Sequence, residues 1–330
     1  MSSPQVRLHQ ILDWDSPQQN ARLRRELAAG LLQAQASIAP KFFYDKLGSR
    51  LFEAITELPE YYPTRTEAAI FSEHLPAIRQ ALGQGFTLID LGCGSCGKAG
   101  RLFHAGALPS RYVAVDISVD FMRDSLQQLK RELPAIEMTG IGLDFTHELE
   151  LPDDIPLERR IFFYPGSSIG NFSPPDAGRF LRGLADRMDA SGGLLIGVDL
   201  IKKSALLDAA YDDALGVTAA FNRNLLRHVN ARLDADFDIG DWQHVAFYNA
   251  TDARVEMHLE ARRALTASWP DPTGRSQRQF AAGERIHTEN SYKYSPEGFA
   301  ALLASAGFAD IRMWTDPRGW FALFFARKAY

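Results

Sequence analysis

Between residues 86 and 201 short apolar runs alternate with amphipathic stretches in the rhythm of strand–helix–strand units. The first run, FTLID, meets a glycine cluster, LGCGSCGK, and a second, YVAVDIS, follows after a helix-type segment. Residues 119–133 carry apolar positions at helical spacing and stop at Pro134. Residues 136–144 read as a third strand, and residues 159–171 as a fourth whose continuous apolar core implies burial on both faces. An amphipathic helix over 176–188 and a fifth strand over 194–201 complete the block. This alternation predicts a doubly wound α/β core over residues 75–201.

The flanks follow a different period. Residues 204–233 form a long helical region, and residues 244–269 alternate like antiparallel strands. Residues 286–294 predict a further strand, residues 296–306 a short helix ending at Gly307, and WTDPRGWFALFFAR a terminal strand. Residues 1–74 and 202–330 are therefore expected to form an N-terminal arm and a substrate-binding cap of mixed α+β type. The strands of about 286–330 have the option of rejoining the core. Residues 46–58 read as an amphipathic helix near the start of the chain.

The glycine cluster carries the first chemistry. Gly92, Gly94 and Gly97 permit a tight turn and close approach of backbone to a ligand. Asp116, at the end of the second strand, is placed to accept hydrogen bonds from a ribose diol. The spacing G-x-G-x-x-G by itself allows NAD, FAD or S-adenosylmethionine (SAM). Asp90, two residues before Gly92, favours SAM: a carboxylate repels a pyrophosphate but tolerates a sulfonium.

Composition narrows the class. A chain of 330 residues with 46% apolar content can bury one large core or two ordinary ones. A net charge of −5 without a basic block argues against a nucleic-acid partner. No run has the length of a membrane span, and MSSPQVRLHQ lacks a signal-peptide core, so a cytoplasmic location is expected. Cys93 and Cys96 are the only two cysteines, and no second pair completes a zinc site. No metal is expected. The absence of a heptad or apolar tail favours a monomer.

Three further clusters could carry chemistry. FFYDKLGSRLFEAITELPEYYPTRTE, residues 42–67, is dense in Tyr, Arg and acidic groups, although its tyrosines could equally be surface aromatics. GSSIGN ends the fourth strand and exposes Asn171 at the edge where open α/β sheets bind ligands. In TENSYKY, residues 288–294, strand periodicity puts Glu289, Ser291 and Lys293 on one face.

Together, YDKLGSRLFEAITELPEYYPTRTE, SIGNF, AAYDDALGVTAAFNRN, VEMHLEARR and TENSYKY resemble the histidine Nα-methyltransferase family of ergothioneine biosynthesis, over about residues 38–327. The resemblance implies a Rossmann-like class I SAM-dependent methyltransferase core with a substrate-binding cap, and trimethylation of the α-amine of L-histidine to hercynine. It places Tyr61, Asn171 and Tyr211 on the amino-acid head of the substrate, Asn171 also on its amine. It places Glu289 and Ser291 on the imidazole, Met257 in the pocket wall, and Tyr44 near the amine and the cofactor. Gly92, Lys98, Asp116, Asp144 and Phe145 match the SAM site, with Asp116 at the ribose and Asp144 and Phe145 at the adenine. The two cysteines in the glycine loop depart from the family's usual form but leave backbone cradling intact.

Chemistry accommodates that substrate. A carboxylate such as Glu289 can accept from an imidazole N–H while a hydroxyl such as Ser291 serves the other nitrogen. Methyl transfer demands alignment of a deprotonated amine with the S–CH₃ bond, and such positioning contributes roughly 7–11 kcal/mol at best. A neighbouring sulfonium lowers the amine's pKa, so Tyr44, Asn171 and solvent are expected to share the proton traffic. Three other readings remain open from the residues: methylation of another amine such as tryptophan or a derivative, a non-catalytic SAM- or histidine-binding module, and an NAD-dependent oxidoreductase.

Overall fold

The structure, a computed structural model, describes residues 6–11, 16–146, 149–272 and 274–329. In chain order it begins β1 (Arg7–Gln10), α1 (Pro17–Leu31), α2 (Lys46–Thr56), α3 (Tyr62–Glu73) and α4 (Leu75–Leu82). There follow β2 (Thr87–Leu91), α5 (Gly97–His104), β3 (Arg111–Asp116), α6 (Val119–Glu132), β4 (Glu137–Gly142), β5 (Arg160–Tyr164), α7 (Pro174–Asp186) and β6 (Gly193–Asp199). Next come α8 (Ser204–Tyr211), α9 (Val217–Leu233), β7 (Trp242–Asn249), β8 (Arg254–Ala261), β9 (Leu265–Asp271), β10 (Gly274–Phe280) and β11 (Arg285–Tyr292). The chain closes with α10 (Pro296–Ser305), β12 (Phe308–Thr315) and β13 (Phe321–Lys328).

These elements divide into two compact units. One comprises Met1–Leu12, Pro63–Ile201 and Tyr292–Tyr330, and the other Asp13–Tyr62 and Lys202–Ser291. Residues 6–11, 63–74 and 292–329 therefore join residues 75–201, although the sequence pattern places 1–74 in the arm.

The first unit is built on an eight-stranded sheet in the order β1-β4-β3-β2-β5-β6-β13-β12. The strands from β1 to β6 run parallel, and β13 and β12 add antiparallel. Every residue of β2, β5 and β6 is buried, as their largely apolar runs require in a sheet covered on both faces. Strand order reverses between β2 and β5, the switch point at which loops leave the sheet in opposite directions. The fourth strand is shorter than its apolar run suggested, because Gly166 and Ser167 take left-handed backbone at φ 79° and 62° and turn the chain aside. The expected terminal strand is two: a turn at Asp316–Gly319 separates β12 from β13, with the Asp316 carboxylate accepting from the backbone N–H of Arg318, Trp320 and Phe321.

The second unit combines helices α1, α2, α8 and α9 with a three-stranded sheet, β11-β8-β7, and a β9–β10 hairpin. Helices α1 and α2 start at recognisable caps. Ser16 precedes Pro17 and accepts from Gln19 N at 3.3 Å, and Asp45 accepts from Gly48 N at 2.6 Å. A Cβ on Gly48 would collide with the Phe43 carbonyl, so the glycine in YDKLGS lets α2 close on the preceding turn. Phe43 and Phe221 stack at 4.5 Å, and Trp242 packs edge-on against Phe280 at 5.0 Å.

Lys293 does not share a face with Glu289 and Ser291. It lies beyond the end of β11, 3% exposed, and its ammonium meets the buried Asp199 carboxylate at 2.9 Å. The paired charge satisfies a group that burial would otherwise make costly, so Lys293→Met should destabilise the fold by about 3–5 kcal/mol. Urea unfolding of the variant beside the wild type checks that value.

Candidate active site

The loops at the carboxyl ends of the parallel strands gather most of the expected cofactor residues. After β2 the backbone N–H groups of Gly92 and Cys93 donate to Val115 O at 2.8 and 3.2 Å, tying the glycine loop to β3. Gly94 has φ 50° and a Cβ there would face open space, which leaves its backbone accessible to a ligand. Asp116, at the end of β3, accepts from Gly94 N at 2.9 Å through Oδ2 and from Ser118 N at 2.8 Å through Oδ1. Each oxygen keeps further acceptor capacity, as a ribose diol requires. Burial pushes the Asp116 carboxyl up, while the N–H groups of Ser118 and Gly94 pull it back.

After β4, Phe145 stands edge-on to Tyr164 at 5.8 Å and tilted against Phe180 at 6.1 Å. A Cβ on Gly92 would come within 3.7 Å of the Phe145 ring, so the missing side chain leaves a flat slot beside an aromatic wall. Asp144 folds over its own turn and accepts from Thr146 N at 3.2 Å. The loop and these groups fit a nucleoside with a positively charged tail. The buried Asp90 adds a reason: its Oδ2 accepts from Tyr112 at 2.8 Å, and its Oδ1 has no hydrogen-bond partner among the described residues. Burial lifts the Asp90 carboxyl to about 7, against the opposing pull of Tyr112 and then of Lys98. The Cys93 thiol, 4.0 Å from Asp116, is also pushed up by burial.

Lys98 and Asn171 are linked by a residue the sequence reading passed over. The Lys98 ammonium meets Glu67 Oε2 at 2.7 Å, and Glu67 Oε1 accepts from Gly166 N at 2.7 Å. Gly166 opens the turn after β5, whose next residue, Ser167, accepts from Asp199 N at 2.9 Å. A 3₁₀ turn, Ser168–Asn171, then delivers Asn171 half-buried at the same carboxyl-end side of the sheet. Glu67 ends the stretch EYYPTRTE, but nothing in its spacing distinguishes it from a solvated helix acid. Only its 2% exposure does.

In the second unit four expected substrate residues form one connected set. Tyr44 packs edge-on against Phe52 at 5.8 Å, Phe52 against Tyr61 at 6.3 Å, and Tyr61 against Tyr211 at 6.3 Å. Tyr211 then donates to Ser291 Oγ at 2.7 Å. Tyr61, Tyr211 and Ser291 are buried, and Tyr44 is half-buried. Tyr62, with surface placement among its sequence readings, is instead 1% exposed and accepts from Lys202 Nζ at 2.7 Å. Met257 lies 2% exposed in the middle of β8, its carbonyl accepting from Thr288 Oγ1 at 3.0 Å. Glu289 is half-buried on β11, two residues before Ser291.

A second network steadies Tyr211. Asn222 Nδ2 donates to His244 Nδ1 at 2.8 Å, which leaves the other ring nitrogen, Nε2, to donate to Tyr211 O at 2.8 Å. Burial holds the His244 pKa below its ordinary value, consistent with this neutral tautomer.

Comparison with known proteins decides the family. A family model described as "Histidine-specific methyltransferase, SAM-dependent" matches residues 23–328. The chain belongs to that family. The methyltransferase is 43% identical to the histidine N-alpha-methyltransferase of Mycolicibacterium smegmatis, over 91% of this chain and 93% of that one. It is 41% identical to the protein of the same name from Mycobacterium tuberculosis, over 93% and 95%. It is also 31% identical to ergothioneine biosynthesis protein 1 of Neurospora crassa, over 82% of this chain and 31% of that longer one. It is thus an enzyme that transfers methyl groups from SAM to histidine.

Among the methyltransferase's described residues no helix is long and apolar enough to cross a membrane, and no His, Cys, Asp and Glu group could hold a metal. A cavity of about 630 Å³ lined by Pro76, Arg79, Gly83 and Leu108 lies at the amino ends of the strands and includes none of the expected site residues.

Asp90 provides a pH test. Burial lifts its pKa to about 7, above the ordinary carboxylate value of 3.8, so the fold binds the proton more tightly than the unfolded chain. That contribution is present in full below the unfolded value and is lost as pH rises through about 7. Without cofactor, the melting temperature of Asp90→Asn should decline less between pH 4 and 7 than that of the wild type. Thermal melts across that range check it.

Proposed function

We propose that the methyltransferase acts on the α-amine of L-histidine and transfers three methyl groups to give hercynine, the first step of ergothioneine biosynthesis. The observation that most supports this reading is the Tyr211–Ser291 hydrogen bond of 2.7 Å. It joins a residue suited to the substrate's carboxylate to one suited to its ring.

In this reading Tyr61 and Tyr211 bind the carboxylate through hydroxyls, which donate without a full positive charge, the Tyr211 O–H turning from Ser291 to the carboxylate when substrate enters. Asn171 holds the amine. Glu289 accepts from the imidazole N–H, Ser291 serves the second ring nitrogen, and Met257 forms an apolar wall. Gly92, Lys98, Asp116, Asp144 and Phe145 hold SAM, with the Asp116 carboxylate on the ribose and Phe145 in the slot beside Gly92. When bound, SAM supplies an electrophilic methyl group on a sulfonium. The chain's task is then to orient the amine lone pair, exclude water and accept a proton at each step, a task shared by Tyr44, Asn171 and solvent. No metal takes part. The slight negative charge without a basic block supports action on a free amino acid rather than on nucleic acid, and the same reading takes the enzyme to be a cytoplasmic monomer.

The deciding experiment is mass spectrometry of L-histidine incubated with SAM and the enzyme, beside Glu289→Ala. The wild type should add three methyl groups. Loss of the carboxylate should raise the KM for histidine by about tenfold or more and leave the KM for SAM unchanged. Methylation of tryptophan or another amine, with histidine untouched, would sink the substrate assignment. Tyr44→Phe should slow at least one methyl transfer, and full activity at every step would remove Tyr44 from the proton path.

A further inference from the structure

The carboxylate of Glu67 is a deeply buried acid that the reaction scheme leaves without a task. It enters the sheet unit from α3, 2% exposed, and each of its oxygens has a distinct partner. Oε2 takes Lys98 Nζ from the first turn of α5, directly after the glycine loop. Oε1 takes the N–H of Gly166, which opens the turn leading to Asn171.

The surroundings are shaped to admit this group. A Cβ on Gly197 of β6 would collide with Glu67 Oε1, and a Cβ on Gly166 would come within 2.5 Å of Lys98 Nζ. Glycines at both positions therefore keep open the space in which carboxylate, ammonium and turn meet. A salt bridge required only for stability could form anywhere on α3. This one ties the start of α5 to the turn after β5, the loops on either side of the switch point.

We propose that Glu67 is a positioning residue. Its carboxylate holds Lys98 toward the cofactor and fixes the Gly166–Asn171 turn, so that cofactor and amine sites are set by one buried group. The proposal rests on the reading above for Lys98 and Asn171. Glu67 touches neither substrate nor cofactor in this role and acts through those two.

The two oxygens predict separable effects. Glu67→Gln keeps an oxygen for Gly166 N–H but removes the charge facing Lys98. Glu67→Ala removes both. Titration of SAM into the full chain without histidine should show binding about tenfold weaker in Glu67→Gln, comparable with Lys98→Met. Because the two groups act as a pair, the double variant should be no weaker than the weaker single one. In turnover with histidine, Glu67→Gln should mainly raise the KM for SAM, whereas Glu67→Ala should also lower kcat about tenfold as the Asn171 turn is released.

If Glu67→Ala does not fold, Gly197→Ala displaces the carboxylate with its charge intact and should reproduce both losses. Folded Glu67→Gln that binds SAM like the wild type, or losses that multiply in the double variant, would overturn the proposal. So would a lowered melting temperature with KM and kcat unchanged. A wild type inactive on histidine would instead defeat the substrate reading, while the SAM titration still decides the role of Glu67.

Discussion

A parallel sheet buried on both faces can present polar groups only at its strand ends, and the first unit is arranged around that constraint. β2, β5 and β6 expose none of their residues, so chemistry has to leave the sheet through the loops that follow them. The reversal of strand order between β2 and β5 then separates two of those loops, as open α/β sheets do where they take a ligand. Gly92, Asp116, Asp144 and Asn171 all lie on this carboxyl-end side, at or after the ends of four different strands.

The same burial makes every charge near those ends expensive unless it is paired. Asp199 and Lys293 meet each other at 2.9 Å, each about 1% exposed at its side chain. Glu67 takes a cation and a backbone N–H, and Asp116 takes two backbone N–H groups. Asp90 alone of these keeps an oxygen without a partner among the described residues, and its carboxyl rises to about 7 in consequence of burial. A cationic ligand end near it would relieve that cost, the physical argument that separates a sulfonium cofactor from a pyrophosphate.

The second unit solves a different problem. One part of it is an aromatic, neutral wall: Tyr44, Phe52, Tyr61 and Tyr211 contact one another in succession, and their rings bury area while the tyrosine hydroxyls offer hydrogen bonds. Ser291 joins the end of that chain through Tyr211. His244 and Asn222 hold the Tyr211 backbone in place by hydrogen bonds that need no charge. Such a wall can bind a small zwitterion with directed bonds and little desolvated charge of its own.

Much of this was legible from residue order. Periodicity located β2 to β6 and their helices, because apolar runs and amphipathic spacing are local consequences of burial. The glycine loop and Asp116 were legible for the same reason: a tight turn and a strand-end carboxylate depend on neighbours in the chain. The clusters holding Tyr44 and Tyr61 and the shared face of Glu289 and Ser291 were visible locally, but their roles and Tyr211 came from family resemblance, since spacing over more than two hundred residues carries no local signal. Tertiary structure alone decided that Lys293 belongs to Asp199 and not to the face of Glu289, that Tyr62 is buried, and that Glu67 bridges Lys98 to Gly166. A charge's partner is set by which distant segments the sheet brings together, and that information lies in the packing, not in the order of residues along the chain.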